Sequence, residues 1–226
     1  VRGMAHEIKN PLGGIRGAAQ LLDRELSSED QREYTRVIID EADRLRSLVD
    51  RMLGPNKALK LAPTNIHEIL ERVGTLLEAE SKGRLNFKRD YDPSIPEFKG
   101  DKEQLIQAFL NIARNAMEAA FENQAGHSSE EPPTITFRTR TLRQFTIGNR
   151  RHKLVCRVDV IDNGPGIPPE LVQNIFYPMI SGRASGTGLG LSITQSIIGQ
   201  HRGLVECESE PGRTDFIIFL PLEDTP

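Results

Sequence analysis

The stretch KLVCRVDVIDNGPGIP, residues 153–168, decides how most of this chain folds. Residues 153–162 form a strand-like apolar run rich in valine. The run leads directly into DNGPGIP, where glycines let the backbone approach a flat ligand closely. Asp162, at the end of the run, is suited to accept a hydrogen bond from an exocyclic amine. We therefore expect a strand that ends at a binding site.

The elements around this strand indicate a mixed α/β domain. Residues 65–80 and 101–123 are predicted helices, the second with Asp101 as N-cap and Gln104 three residues later, as in a capping box. Because several strands follow one another, we expect an α/β sandwich and not a doubly wound parallel sheet. The other predicted elements are strands at 84–91, 134–142, 204–209 and 215–221 and helices at 169–176 and 191–201.

A second glycine-rich stretch, GTGLGLS at 186–192, opens the predicted helix 191–201 after a glycine-rich loop that begins at Phe176. Consecutive backbone N–H groups at a glycine-rich helix start form an anion site. The pattern is neither GxGxxG nor a P-loop, because no GK[ST] occurs in it. By itself this stretch is a weak signal for phosphate binding.

Two asparagines in the predicted helix 101–123 form a polar stripe. Asn111 and Asn115 are four residues apart and lie opposite the apolar face of the helix, together with Gln104. Such a stripe is typical of a solvated helix face. An asparagine carbonyl oxygen is also a hard ligand that suits a Mg²⁺ ion shared with phosphates. The helix alone leaves both interpretations open.

Residues 1–53 contain no strand pattern and predict two long helices. The sequence SSED at 27–30 offers a break and a new N-cap, and Gly54-Pro55 ends the second helix. Two such helices with a short connection make an antiparallel hairpin. Because a lone hairpin buries its apolar stripes poorly, we expect dimerisation into a four-helix bundle; the alternative is packing on the rest of the chain. The stripes consist of Met4, Ile8, Leu12, Ile15, Ala19, Leu22 and Leu26, and of Tyr34, Ile38, Ala42, Leu45, Val49 and Met52.

His6 faces away from the first apolar stripe and shares the exposed face with Asn10, one turn later. A solvated surface histidine is the ordinary interpretation. A zinc-binding HExxH motif is excluded because Asn10 stands where the second histidine is needed. A neutral imidazole is also a competent nucleophile at neutral pH, and the adjacent Glu7 can take up its proton. Pro11 then weakens the helix directly after this pair.

The composition excludes several classes of partner. A net charge of −3 over 226 residues gives no reason to expect nucleic acid or an anionic membrane. No apolar run has the length of about 18 residues typical of a membrane-spanning helix, and no signal peptide is visible. The two cysteines, Cys156 and Cys207, lie in strand-like runs and are expected to be reduced, which favours the cytoplasm. Helical patterning is already running at residue 1, which predicts a fragment of a longer protein.

Taken in order, the motifs resemble those of the two-component sensor histidine kinases over essentially the whole chain. They correspond to the H, N, G1, F and G2 boxes of that family and its terminal glycine-threonine motif. The segment at 40–55, DEADRLRSLVDRMLGP, is similar to the nitrogen-regulation sensor kinases within it. The motifs are HEIKNPL (6–12), NIARNAMEAA (111–120), DNGPGIP (162–168), IFYPMISGR (175–183), GTGLGLS (186–192) and EPGRTDFIIFLP (210–221).

This resemblance implies an α+β chain of two domains. Residues 1–54 would be the dimerisation and histidine phosphotransfer hairpin, which forms a dimeric four-helix bundle. Residues 55–65 would be a linker that acts as a hinge. Residues 66–226 would be the catalytic ATP-binding domain, an α/β sandwich with a mixed sheet of the histidine kinase/GHKL ATPase type.

The resemblance also implies roles for individual residues. His6 would accept the γ-phosphoryl group of ATP, and Glu7 would orient or deprotonate His6. Asn10 would position a water for phosphatase activity. Asn115 would bind Mg²⁺ and Asp162 would contact the adenine amine. The residues implied in nucleotide binding are Asn111, Asn115, Asp162, Gly164, Gly166, Ile167, Arg183, Gly186, Thr187, Gly188, Leu189, Gly190, Leu191 and Thr214.

One position departs from the family pattern. Many relatives carry a basic residue three positions after the second asparagine of the N box, and here that residue is Glu118. A cation that faces the phosphates must then come from elsewhere. Arg183 and Arg114 are the candidates.

The function implied is that of a cytoplasmic, homodimeric histidine kinase using ATP and Mg²⁺. It would autophosphorylate His6, pass the group to an aspartate on the receiver domain of an NtrC-like response regulator, and dephosphorylate that regulator. A PII-type signal protein would govern the switch. The alternatives are a nucleotide-binding regulatory dimer without kinase activity and another ATPase of the same fold, of the gyrase or chaperone type. Whether a protomer phosphorylates its own His6 or its partner's stays open.

Overall fold

The computed structural model describes residues 2–26, 28–52, 58–126, 131–180 and 188–222, with only the backbone described at 2–9, 46–52 and 125–126. The chain divides into two compact units, Val1–Asn56 and Lys57–Pro226. Within the described residues, no helix has the length and apolar character needed to cross a membrane. Both cysteines are free, and Cys156 is buried.

The first unit is the predicted helical hairpin. Helix α1 spans Arg2–Glu25 and helix α2 spans Glu29–Met52. Acidic residues in the first turn of α2 interact favourably with the helix dipole. Arg16 Nε donates to Asp43 Oδ1 at 2.8 Å, and Thr35 donates to Asp23. Arg16 of α1 thus contacts Asp43 in the later part of α2, and Asp23, later in α1, contacts Thr35 in the earlier part of α2. The two helices are therefore antiparallel.

Apolar side chains of both predicted stripes stay exposed in this unit. Ile15, Leu22, Ile38 and Leu45 are between 44% and 52% exposed, whereas the small side chains of the stripes, Ala19 and Ala42, are buried. The two helices therefore approach closely through alanines and leave the larger apolar groups facing outward.

The second unit contains a mixed five-stranded sheet, as predicted. The strands are β2 (Asn86–Asp90), β4 (Thr134–Ile147), β5 (Arg150–Asp162), β6 (Leu204–Glu210) and β7 (Arg213–Pro221). The order across the sheet is β2-β4-β5-β7-β6. Strand β2 pairs with β4 in parallel, and the other neighbours pair antiparallel.

Helices pack on one face of this sheet and form the core with it. The helices of this unit are α3 (Ile66–Ser81), α4 (Lys102–Gly126), α5 (Pro169–Val172) and α6 (Gly190–Gln200). Helix α4 lies in the middle, between α3 and α6, and contacts β4 and β5. Phe109 and Ile112 of α4 and Phe137 and Val158 of the sheet are fully buried.

A two-stranded sheet was not predicted from the sequence. Strand β1 (Ala62–Thr64) pairs antiparallel with β3 (Phe98–Gly100). Lys60 N donates to Asp101 Oδ2 at 2.9 Å, and the side chain of Asn65 caps α3. Residues 60–65, which the sequence analysis assigned to the linker, therefore belong to the second unit. The predicted helix end at Gly54-Pro55 lies outside the described residues.

Two local predictions were wrong. The helix predicted at 169–176 is limited to α5, four residues long, and turns follow it. Gln104 is 7% exposed and not on a solvated face. Asp101 does cap α4 as predicted, because its Oδ1 accepts a hydrogen bond from Gln104 N at 3.2 Å. The reciprocal bond of a capping box is replaced: the Asp101 N–H donates to His201 Nε2 at 2.9 Å, and Gln104 Nε2 donates to Asp101 Oδ2 at 3.3 Å.

Candidate functional site

A cavity of about 520 Å³ lies beside α4 in the second unit. Its other walls are the segment after β5, the residues around α5, the start of α6 and part of β7. The lining residues are Asn111, Arg114, Asn115, Glu118, Ala119, Glu122, Asp162, Pro165, Gly166, Ile167, Pro168, Leu171, Ile175, Ile180, Gly188, Gly190, Leu191, Thr214 and Phe216.

One end of the cavity lies against the C-terminal half of α4. Asp162 is 2% exposed, and its Oδ1 accepts a hydrogen bond from Gly164 N at 2.8 Å. A Cβ at Gly164 would lie 2.7 Å from the Cβ of Ala119, so only glycine fits between this segment and α4. Asn123 Nδ2 donates to Asn163 O at 2.8 Å. These contacts fix the buried carboxylate of Asp162 at this end.

Strand β7 and the loop after β5 form the adjoining wall. Thr214 pairs with Asp162 across β5 and β7, and its hydroxyl lies 3.0 Å from Ser209 Oγ. Ser209 Oγ accepts a hydrogen bond from Ile167 N at 2.8 Å. Gly166 has a φ of +87°, and a Cβ there would lie 2.6 Å from the carbonyl oxygen of Glu210. The loop therefore passes too close to the β6–β7 turn for any side chain at residue 166.

The other end of the cavity lies at the start of α6. Asn111 Nδ2 donates to Gly190 O at 3.2 Å. Gly188 has a φ of +63°, and its carbonyl oxygen accepts a hydrogen bond from Met179 N at 3.0 Å. This bond joins the segment after α5 to the glycine-rich stretch. A Cβ at Gly188 would lie 2.6 Å from the carbonyl carbon of Met179, so glycine is required here too. The N-terminal end of α6 is thereby held beside Asn111.

A guanidinium group lies at the edge of the cavity. Arg114 Nε donates to Glu80 Oε2 at 3.0 Å, and its Nη2 donates to Glu80 Oε1. The hydrogen bonds from Arg114 hold the pKa of Glu80 below its usual value. Glu118, one turn further along α4, also interacts electrostatically with Arg114. Arg114 was predicted from the sequence as a candidate cation, whereas no role was predicted for Glu80.

Most residues implied in nucleotide binding meet in this cavity. Gly164 and the buried Leu189 lie beside its lining and support it. Arg183, Gly186 and Thr187 lie outside the described residues. The lining includes nine of the implied residues, namely Asn111, Asn115, Asp162, Gly166, Ile167, Gly188, Gly190, Leu191 and Thr214.

The implied phosphoacceptor group belongs to the first unit. His6 and Glu7 lie in α1, and their side chains are outside the described residues. Asn10, one turn after His6, is exposed.

Several lining residues were not predicted from the sequence. Ala119 and Glu122 continue the helical stripe of Asn111 and Asn115, so the same periodicity, carried two turns further, would have found them. Phe216 is two residues after Thr214 in β7 and therefore on the same face of the strand. No sequence pattern indicated the apolar lining residues near α5, because those residues come together only in the folded domain.

The cavity suits a metal ion that is carried by a ligand. Among the described residues, no group of three or more histidine, cysteine or carboxylate side chains is arranged to hold a metal. The lining does include the amide of Asn115. Mg²⁺ is commonly bound by one or two protein oxygens with phosphates and waters. The donor set therefore fits Mg²⁺ shared with phosphates better than a site made by protein alone.

The fold and the cavity define a class of protein, and comparison with protein families identifies it. Residues 100–224 match the histidine kinase-, DNA gyrase B-, and HSP90-like ATPases. Residues 1–58 match the His Kinase A (phospho-acceptor) domain. The chain belongs to this ATPase family and has the domain pair of a histidine kinase.

Among individual proteins, the chain is similar to the sensory histidine kinase/phosphatase NtrB. The NtrB of Vibrio alginolyticus is 54% identical over 98% of this chain and 61% of its own length. The NtrB of Salmonella typhimurium is 52% identical over the same shares. That of Rhizobium meliloti is 41% identical over 96% of this chain and 56% of its own length. The resemblance to nitrogen-regulation sensor kinases is thus confirmed, and the chain spans only part of these relatives.

Solved structures share the fold. Full-length ShkA in complex with AMPPNP matches with a TM-score of 0.60 and 24% identity. The match covers 99% of this chain and 46% of the ShkA chain. Histidine kinase ThkA in complex with the response regulator protein TrrA has a TM-score of 0.60 and 26% identity, and covers 98% of this chain and 60% of its own.

Proposed function

We propose that this chain is the catalytic core of an ATP-dependent protein-histidine kinase. It transfers the γ-phosphoryl group of ATP to His6 and then to an aspartate on the receiver domain of a response regulator. The observation that carries this proposal is the cavity, which has a buried carboxylate at one end and asparagines with a glycine-rich helix start at the other. The phospho-acceptor match at residues 1–58 favours a kinase over a gyrase-type or chaperone ATPase.

The base of the nucleotide binds at the Asp162 end. The carboxylate of Asp162 accepts a hydrogen bond from the exocyclic amine of adenine, and Gly164 N fixes its orientation at 2.8 Å. Thr214 lies across the strand pair from Asp162 and closes this side. Gly166 and Ile167 bring the backbone close to the flat base. Asp162 is buried, so a base without the exocyclic amine would leave its carboxylate without that hydrogen-bond partner. The resulting loss of binding energy gives the site specificity for adenine.

The phosphates bind at the other end. Backbone N–H groups at the start of α6, from Gly188 to Leu191, face the phosphates, and Asn111 holds that helix start in place. We assign Arg183, Gly186 and Thr187 to the same phosphate-binding segment. Asn115, beside Asn111 on α4, holds Mg²⁺ through its amide oxygen. Mg²⁺ supplies charge neutralisation on the phosphates.

His6 is the nucleophile of the first step. An imidazole nitrogen forms a bond to the γ-phosphorus while the bond from that phosphorus to the bridging oxygen breaks, and ADP leaves. Glu7 orients the ring and takes up its proton. In the second step, an aspartate oxygen of the regulator bonds to phosphorus and the N–P bond breaks. The part of the predicted linker that precedes residue 60, residues 55–59, forms the hinge that brings the nucleotide to His6.

Phosphatase activity and the partners complete the proposal. The NtrB relatives are named sensory histidine kinase/phosphatase. By analogy, Asn10 positions the water that hydrolyses the phosphoaspartate of an NtrC-like regulator, and a PII-type signal protein controls the balance. The protein works in the cytoplasm in nitrogen regulation.

The exposed stripe of the hairpin supports a homodimer. Ile15, Leu22, Ile38 and Leu45 are about half exposed on α1 and α2. Burying these side chains against a second copy forms a four-helix bundle and removes apolar surface from water. Light scattering on the chain should give the mass of a dimer, and a monomer at micromolar concentration would contradict this part.

The kinase proposal is tested by following phosphate from ATP and Mg²⁺. A histidine kinase accumulates acid-labile, base-stable phosphate on the chain and passes it to an added NtrC-like receiver domain. Steady hydrolysis over many turnovers without labelling of the chain would support an ATPase of the gyrase or chaperone type instead. Nucleotide binding with neither labelling nor hydrolysis would support a regulatory dimer.

A further inference from the structure

Helix α4 runs along the cavity from one end to the other. Near its middle, Asn111 contacts the start of α6, and eight residues later Ala119 lies against Gly164, beside Asp162. Eight residues of α-helix rise about 12 Å, which is comparable with the reach of a nucleoside triphosphate from base to terminal phosphate. Residues 111–115 of α4 therefore lie at the phosphate end, and residues 119–123 lie at the base end.

The phosphate end has an electrostatic problem. Glu118 lines the cavity one turn from Asn115, and Glu122 lines it a further turn along. Glu118, three residues after Asn115, is the carboxylate next to the phosphate end, whereas Glu122 lies at the base end. Like charges repel, so a cation of the protein close to Glu118 favours binding of the terminal phosphates in addition to Mg²⁺.

Arg114 has the position and the geometry to supply that cation. It lines the cavity next to Asn115 and one turn before Glu118. Glu80, on the neighbouring helix α3, fixes the guanidinium plane through two hydrogen bonds, to Nε and Nη2 of Arg114. A guanidinium carries five N–H donors in a rigid fork, so donors remain for a phosphate. The Arg114 side chain is 47% exposed, which leaves it accessible to a ligand.

We infer that Arg114, oriented by Glu80, contacts the terminal phosphates of ATP and offsets the charge of Glu118. Arg114 is the ligand-contacting residue and Glu80 is a positioning residue. The inference rests on the proposed function, because it names a phosphate contact within the same nucleotide site. It also explains how the site tolerates a glutamate at residue 118.

The test compares affinities for ATP and AMP, measured by calorimetry on the full chain with Mg²⁺. Arg114→Gln should weaken ATP binding about tenfold, as expected for a lost charge-assisted contact, and change AMP binding by less than about twofold. Arg114→Gln/Glu118→Lys moves the cation one turn along α4 and should restore most of the ATP affinity. Glu80→Gln should reduce ATP affinity less than Arg114→Gln and leave AMP affinity unchanged.

Arg89 provides a matched control. Its guanidinium also bonds to carboxylates of α3, Glu71 and Glu78, but Arg89 does not line the cavity. Arg89→Gln should therefore keep the preference for ATP over AMP. The AMP affinity reports in each variant whether the site is folded.

Two results would overturn the inference. One is an Arg114→Gln variant that keeps the parent's ratio of ATP to AMP affinity. The other is a double variant that recovers no ATP affinity although its AMP affinity is normal. Both differ from failure of the proposed function, in which the parent chain itself would bind ATP no more tightly than AMP.

Discussion

Asn111 on α4 donates a hydrogen bond from Nδ2 to the carbonyl oxygen of Gly190, the first residue of α6, at 3.2 Å. A second contact joins the same helices, since Thr194 Oγ1 donates to Ala108 O at 3.2 Å. The glycine-rich start of α6 is thus fixed relative to the helix that carries Asn115. One wall of the cavity orients the other before any ligand binds.

Asn111→Ala should weaken ATP binding by removing this contact. We expect a loss of about three- to tenfold, because one hydrogen bond contributes about 1 kcal/mol. Calorimetric titration with ATP and Mg²⁺ measures it. Asn86→Ala is the control, because Asn86 of β2 donates a hydrogen bond to Thr134 of β4 at an exposed position, outside the cavity. Equal ATP affinity in both variants would contradict the role of Asn111.

Gly166→Ala should destabilise the second unit far more than Gly148→Ala. Both glycines have positive φ, +87° and +61°, so alanine is strained at either position. A Cβ at Gly148 meets nothing within 4 Å, whereas one at Gly166 meets the Glu210 carbonyl oxygen at 2.6 Å. We expect a cost of about 1 kcal/mol at Gly148 and about 3 kcal/mol or more at Gly166.

Urea unfolding of the two alanine variants measures this difference. Gly148→Ala carries the backbone strain without the clash, so it separates the two effects. Similar free energies of unfolding for both variants would show that the loop at Gly166 moves away from the β6–β7 turn.

The stability of the second unit should fall in mild acid through His201. Its Nε2 accepts the Asp101 N–H at 2.9 Å and its Nδ1 lies 2.8 Å from Ile197 O, so the ring is held neutral. Burial lowers the pKa of His201 from the usual 6.5, although the Ile197 carbonyl and the Asp101 carboxylate oppose this. The unfolded chain therefore takes up the proton first. Stability is full above about pH 6.5 and decreases as the pH falls below that value.

Unfolding at about pH 7.5 and about pH 5.5 tests this pH dependence. The drop in unfolding free energy should be smaller for His201→Gln than for the parent chain. Burial also lowers the pKa of His67, but His67 is present in both proteins, so the difference isolates His201. An identical drop in both proteins would count against the assignment.

Asn10→Ala should reduce phosphatase activity more than kinase activity. The Asn10 side chain is exposed on α1, one turn after His6, so its removal leaves the hairpin stable. Loss of phosphate from a phosphorylated NtrC-like receiver domain and the rate of labelling of the chain measure the two activities. Comparable losses in both would remove the specific role of Asn10.

The sequence predicted the fold wherever long periodic segments decide it. The hairpin, the long helix α4 and the mixed sheet follow from apolar periodicity and from the order of strands. Strands β1 and β3 were missed because each has three residues and pairs only with the other, across a long stretch of chain. Gln104 was expected on a solvated face, but it is buried and bonds to Asp101, a contact that the helical periodicity alone does not predict.

The motif residues of the site could be predicted from the sequence, but the contacts between residues distant in the chain could not. Asp162, Asn111 and Asn115 stood out because each motif has a chemical reason for its residue types. The contact between Arg114 and Glu80 joins residues 34 positions apart, and no local pattern predicts which acid on α3 meets that guanidinium. Such pairings depend on how α3 packs against α4.

The central claim is that the γ-phosphoryl group of ATP passes to His6. Its most direct test is labelling of the chain by ATP that is radiolabelled at the γ-phosphate, in the parent and in His6→Gln. We expect acid-labile label on the parent and none on His6→Gln, with equal ATP affinity in both proteins. Undiminished labelling of His6→Gln would contradict it.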